Sequence, residues 1–191
     1  MANEPRPEIG AVLRWRGALH LDTGQARAAR ARLKRAAAVF DALLLSETLD
    51  LIKAVRAEAL QAPSGDFEQR LVVLAMTLPW IAPGTSASFA RALGQTAAGR
   101  APVGDERPRL SPARFGALLR AARSRDWDGL ARALRRASAI LGEARIDAAA
   151  LIGDVLFLND AALRRWSYDY WQTQDPDAAA QSAENAMEPT P

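Results

Sequence analysis

The stretch from Phe67 to Trp80 constrains this chain more than any other, because it is apolar on nearly every side. Leu71, Val72, Val73, Leu74, Ala75 and Met76 follow one another without a polar break. A helix of that kind has no face to give to water, so it belongs at the centre of an N-terminal bundle. Asp66 stands as its cap after the turn Pro63-Ser64-Gly65, and Pro79, Pro83 and Gly84 end it. The longest apolar run, Leu71 to Ala82, is too short to span a bilayer and contains Pro79.

The remaining segments are the partners that such a helix needs. Residues 8–20 place Ile9, Val12, Leu13 and Arg16 in helical spacing, with Trp15 as a large anchor. Asp22-Thr23-Gly24 breaks that helix and caps the next. Residues 25–45 read as one long helix with Leu33, Ala36, Ala37, Phe40 and Leu44 inward. Leu49 to Leu60 follows with Leu49, Ile52, Val55 and Ala59 as its stripe. Ser86 or Ser88 starts a short helix through Phe89 and Leu93, and Gly94 to Pro108 reads as a loop. Asp147 caps a helix with Leu151, Val155 and Leu158 inward. Asn159 caps the last one, through Leu163, Trp166 and Tyr170.

Alanine and leucine abound, β-branched residues are few, and no useful length alternates with strand period. The expectation is an all-α, two-lobed bundle of about eight to nine helices. Residues 8–84 form the N-terminal helical lobe, 85–173 the C-terminal lobe, and 174–191 a disordered acidic tail nearly devoid of large apolar groups.

Charge is distributed unevenly. Arg107 to Arg136 holds nine arginines against two acids, Asp126 and Asp128, whereas the whole chain is only +3. Ser111-Pro112 starts one helix there, with Phe115, Leu118, Leu119 and Ala122 on one face. Asp126 caps a second, with Leu130, Leu134, Ala137 and Leu141 inward and Arg132, Arg135 and Arg136 opposite. A solvated surface interleaves its signs, yet Arg132 and Arg136 are a like-charged pair one turn apart, which repel. A second basic region runs from Arg27 to Arg35 without an acid, and Arg27, Arg30 and Lys34 share one flank of their helix. The guanidinium fork suits phosphate.

The parts for catalysis are missing from the sequence. There is no cysteine and one histidine, His20, so neither a thiolate site nor a zinc or iron centre is expected. Asp126 and Asp128 fit capping better than acid–base work, and no phosphate loop, nucleophile elbow or Glu-x-x-His motif occurs. No cofactor, metal or catalytic residue is therefore expected. Trp166, Tyr168, Tyr170 and Trp171 crowd the last helix beside Arg164 and Arg165. Packing explains them better than docking or base stacking. The first residues, Glu4, Pro5, Arg6, Pro7 and Glu8, lack the apolar core of a signal peptide, so the expected location is cytoplasmic, with no membrane partner.

The order of motifs adds a resemblance. Trp15 is followed by Asp22-Thr23-Gly24 and Leu33-Lys34-Arg35-Ala36, then by Ser88-Phe89-Ala90-Arg91-Ala92-Leu93. Next come Arg114-Phe115, Leu118-Leu119-Arg120-Ala121, Arg123 and Leu130 to Ala137, and last Arg164-Arg165-Trp166 with Trp171. In this order the chain resembles the CasB-type small subunit of the type I-E CRISPR surveillance complex, Cascade, over about residues 10–172. The stretch Gln25–Arg32 is longer than usual for the family, so the positions carried over begin at Lys34.

The resemblance implies an all-helical protein of antiviral defence with no enzymatic activity of its own. It implies self-association beside the Cascade backbone and large subunits, and basic surface turned to the crRNA, the target DNA and the displaced strand, which stabilises the R-loop. The residues it points to are Lys34, Arg35, Arg91, Arg114, Arg120, Arg123, Arg132, Arg135 and Arg136, and Arg30 joins them through its flank with Lys34. Two alternatives stand beside it: a stand-alone, non-specific helical nucleic-acid-binding protein, and a helical adaptor for an acidic protein. No polar base readers stand among the arginines, which disfavours sequence-specific readout.

Overall fold

The computed structural model describes residues 6–59, 65–82, 84 and 87–173, and the expected tail, 174–191, lies outside them. Among the described residues the helices are α1 (Pro7–Leu19), α2 (Gly24–Arg35), α3 (Val39–Leu43), α4 (Ser46–Glu58) and α5 (Gly65–Thr77). After a 3-10 turn at Leu78–Trp80 come α6 (Phe89–Gly94), α7 (Pro112–Arg123), α8 (Trp127–Leu141), α9 (Ala148–Leu156) and α10 (Asp160–Trp171). Extended pairing among these residues amounts to one isolated parallel bridge, Ala87 with Ile146. The all-α expectation holds.

The apolar helix is central, as its sequence requires. Leu71 to Met76 are all buried, and α5 is packed by α2, α3, α4, α8 and α9. Thr77, also buried, returns its hydroxyl to the Val73 carbonyl at 2.8 Å, so no polar group is stranded there. Pro79, lacking an N–H, sits in the 3-10 turn where the α-helix has already ended. One continuous cluster of buried side chains takes in residues from Ala11 to Tyr170.

The long helix expected over 25–45 is instead two helices, α2 and α3. The local run Ala36-Ala37-Ala38 favours helix, and contacts from far along the chain override it. Arg135 donates to the carbonyls of Ala36, at 2.5 Å, and Lys34, which closes the end of α2. The Asp128 carboxylate then accepts the Val39 N–H at 2.7 Å and starts α3. The break turns Phe40 and Leu44, expected inward, out to 66% and 67% exposure. In α4 the buried stripe is Thr48, Leu51, Ile52 and Val55, and Leu49, also expected inward, is 42% exposed.

Capping follows the sequence closely. Thr23, Ser88, Asp126, Asp147 and Asn159 each accept a backbone N–H in the first turn of their helices. Ser111 occupies the N-cap of α7 without a side-chain bond, and Pro112 opens that helix. Asp66 lies inside the first turn of α5 and not before it.

The last helix is locked on by aromatics. Trp166 is buried and donates from Nε1 to Asp154 at 2.7 Å. Tyr170 stacks on Phe115 at 4.0 Å between ring centres, and its hydroxyl donates to the Leu110 carbonyl at 2.5 Å. Packing is thus the role of both, whereas Trp171 is 60% exposed, edge-on to Tyr170.

Burial pushes the Tyr170 phenol up to about 12, above its ordinary 10.0. Because the unfolded chain loses this proton first, the group's contribution to stability is whole below pH 10 and declines as pH rises from 10 towards 12. Thermal unfolding across that window should show a steeper fall in Tm for the native chain than for Tyr170→Phe. At neutral pH the phenylalanine variant should be less stable by about 1–3 kcal/mol, for the Leu110 carbonyl loses its partner.

Candidate nucleic-acid interface

Helices α7 and α8 pair through their apolar faces. Phe115, Leu118 and Ala122 are buried on one, and Leu130, Leu134, Ala137 and Leu141 on the other. The turn between them is made by Arg125 in the left-handed region, φ 57°, with its guanidinium 2.7 Å from Asp66 of α5. Asp126 then caps α8 by accepting the Gly129 N–H at 2.8 Å. The helix faces that carry the arginines are thereby set by the α7–α8 pairing and a clamped turn.

The structure sorts the nine arginines of this stretch by their partners, and Arg107 is exposed in the loop before α7. Arg109 donates to the carbonyls of Thr96 and Ala97 at 3.0 and 3.1 Å, holding the loop before α7. Arg125 is in its ion pair, and Arg135 is half-buried against the end of α2. Arg135 therefore does not stand opposite the apolar stripe as the helical wheel suggested. Burial lowers its pKa, as it lowers that of Arg16, whose Nη2 reaches the Ile81 and Ala82 carbonyls. By contrast, Arg114, Arg120, Arg123, Arg132 and Arg136 are exposed, and among the described residues none of them makes an ion pair.

These side chains meet in two grooves. Between α7 and α10 an open groove of about 760 Å³ is lined by Leu119, Arg120, Arg123, Leu163 and Arg164. Between α7 and α8 a smaller one of about 350 Å³ carries Arg114 and Arg136 over Ala117, Ala133, Ala139 and Ile140. Arg132 lines neither and lies one turn before Arg136. Arg164 was not among the residues singled out for binding, although the pair Arg164-Arg165 beside Trp166 was a signal for it.

A third group lies around Trp80 and joins Lys34 of α2 with Arg135 of α8. The Lys34 ammonium lies 4.6 Å and the Arg135 guanidinium 5.9 Å from its ring centre, in range of a cation–π attraction. Burial, and then the charge of Arg30, lowers the Lys34 pKa. His20 is held below its ordinary value by burial first and by Arg16 next. Arg30 donates to the Leu19 carbonyl and is only partly exposed. Arg35 is exposed beside its own helix, and Arg91 is exposed on α6, away from both grooves.

Chemically, this is a set of guanidinium donors carried on helices, with Asp160 the acid that lines the α7–α10 groove beside them. Among the described residues no three His, Cys, Asp or Glu side chains come together to hold a metal, and no helix is long and apolar enough to cross a membrane. The class so defined is an all-α protein with a localised arginine surface. A family model described as CRISPR-associated protein Cse2 matches residues 29–171, most of the chain. The chain belongs to that family, the small subunit, or CasB, of type I-E Cascade. No curated protein and no solved structure is similar enough to match.

Proposed function

We propose that this chain is a non-catalytic subunit that binds nucleic acid in Cascade without sequence preference, holding the crRNA–target DNA duplex and the displaced strand and so stabilising the R-loop. The observation that carries this is the exposed quintet Arg114, Arg120, Arg123, Arg132 and Arg136, none of which makes an ion pair among the described residues. Clustered like charges on adjacent helices repel, and an anionic partner removes that repulsion. Lys34, Arg35 and Arg91 extend the surface, while Arg30 and Arg135 act through the α1–α2 and α2–α8 contacts they hold. The backbone and large subunits and a second copy of the chain are its protein partners, in the cytoplasm. Residues 8–84 and 85–173 serve as two lobes over one shared core.

Helix-borne arginines on phosphate carry no base information. Two unrelated duplexes of equal length should therefore compete for the purified chain within about threefold of each other. A preference above about tenfold, roughly 1.4 kcal/mol, would overturn non-specific binding.

A further inference from the structure

The aromatic residues of α10 do not share one fate. Trp166 and Tyr170 are buried and hydrogen-bonded, whereas Trp171 stands exposed at the end of the helix, edge-on to Tyr170. Packing accounts for the first two and leaves the third unexplained.

The place of Trp171 on its helix sets what it borders. Ser167, one turn earlier, lines the groove between α7 and α10, and residues one turn apart share a face. Trp171 therefore prolongs that groove by one turn, about 5.4 Å. The two helices run antiparallel, since Tyr170 near the end of α10 stacks on Phe115 near the start of α7. Gly116, the next residue of α7, thus lines the same end of the groove. Arg120 folds back towards that end, for a Cβ added to Gly116 would lie 3.3 Å from its Nη1. Arg123 lines the groove further along, and Asp160, in the first turn of α10, stands at the other end. Between the cations and the indole the surface is apolar. Leu119 and Leu163 line it, and the Ser167 hydroxyl is turned back to the Leu163 carbonyl at 3.0 Å.

A duplex has no use for this combination, because its bases are stacked inside and it offers helices phosphates and groove edges. An unpaired strand offers both parts, phosphates to the guanidinium groups and free base faces to an aromatic ring. Resting on the nucleic-acid function proposed above, we propose that the α7–α10 groove takes a single strand, with Trp171 stacked on an unpaired base and Arg120 and Arg123 on neighbouring phosphates. The ring reads no sequence, because every base has a π-face.

Two oligonucleotides of about 12 nucleotides, a length such grooves cover, separate the ring from the charges. One is oligo(dT), and the other is an abasic strand that keeps the phosphates without the bases. The full-length chain should bind oligo(dT) about tenfold more tightly than the abasic strand, roughly 1.4 kcal/mol. Trp171→Ala should abolish that preference and leave abasic affinity, salt slope and circular dichroism unchanged, since no phosphate contact is lost. Trp171→Phe should keep most of the preference, and Trp171→Leu, apolar without a ring, should lose it. Arg120→Ala should instead weaken both strands alike and flatten the slope of log affinity against log salt by about 0.7. Equal affinity of the native chain for the two strands, or a preference kept in Trp171→Ala, would overturn the stacking role while phosphate binding stood. So would a Trp171→Ala chain that binds oligo(dT) normally and no longer joins Cascade, which would make Trp171 a protein-docking residue. Binding of neither strand by the native chain would end the nucleic-acid function, and this proposal with it.

Discussion

Gly94→Ala should unfold this protein roughly 10 °C lower than the native chain, the equivalent of about 3 kcal/mol in a domain of this size. Gly94 is the last residue of α6 and is buried. A Cβ there would lie 1.9 Å from the carbonyl oxygen of Tyr170, with the Tyr170 backbone carbon at 2.8 Å. Backbone on both sides leaves nothing flexible to yield, so α6 and α10 must separate. That opening would also disturb Tyr170 on Phe115 and the α10 wall that carries Arg164. Gly17, in α1, is the control, because an added Cβ there meets nothing within 4 Å. Gly17→Ala should be neutral or stabilising by about 0.5–1 kcal/mol, since alanine loses less entropy in a helix. Differential scanning calorimetry should therefore show a large fall in Tm for Gly94→Ala and none for Gly17→Ala, and equal falls would refute the close approach of α6 and α10.

What was legible in the sequence is what depends on neighbours along the chain. The burial of Leu71 to Met76, the caps at Thr23, Asp126, Asp147 and Asn159, and the paired apolar stripes of α7 and α8 all follow from spacing and side-chain type. The aromatic lock of Trp166 and Tyr170 was legible too, because large aromatics on a terminal helix usually pack.

What escaped is set by residues about ninety to a hundred positions apart, the order of the separations at the α2–α3 break. Arg135 and Asp128, both on α8, divide a stretch whose local preference is continuous helix, and Phe40 and Leu44 come out as a consequence. Helical periodicity also misjudged Arg135, since a side chain on the flank of a stripe can reach inward when carbonyls wait there. The grooves could not be read at all, for they depend on which face of α7 meets α10 and which meets α8.

The largest functional effect is expected when the arginine surface is removed as a whole. Arg114, Arg120, Arg123, Arg132 and Arg136 are exposed, and alanine at each keeps helix propensity, so the fold should survive their joint replacement. Each phosphate contact releases counterions and contributes about 0.9 to the slope of log affinity against log salt for duplex, or about 0.7 for single strands. Arg120→Ala with Arg132→Ala should flatten the slope by roughly one to two units, and all five by up to roughly four. Target-DNA affinity of the assembled complex near 0.1 M salt should then fall on the order of a hundredfold or more.

That salt titration, on assembled Cascade carrying the five alanines, tests the arginine surface most directly. A shallower slope and weaker R-loop binding, with unchanged helical circular dichroism, is the predicted result. Unchanged affinity and slope in a folded variant would contradict it, and these five arginines would then be no more than a solvated surface.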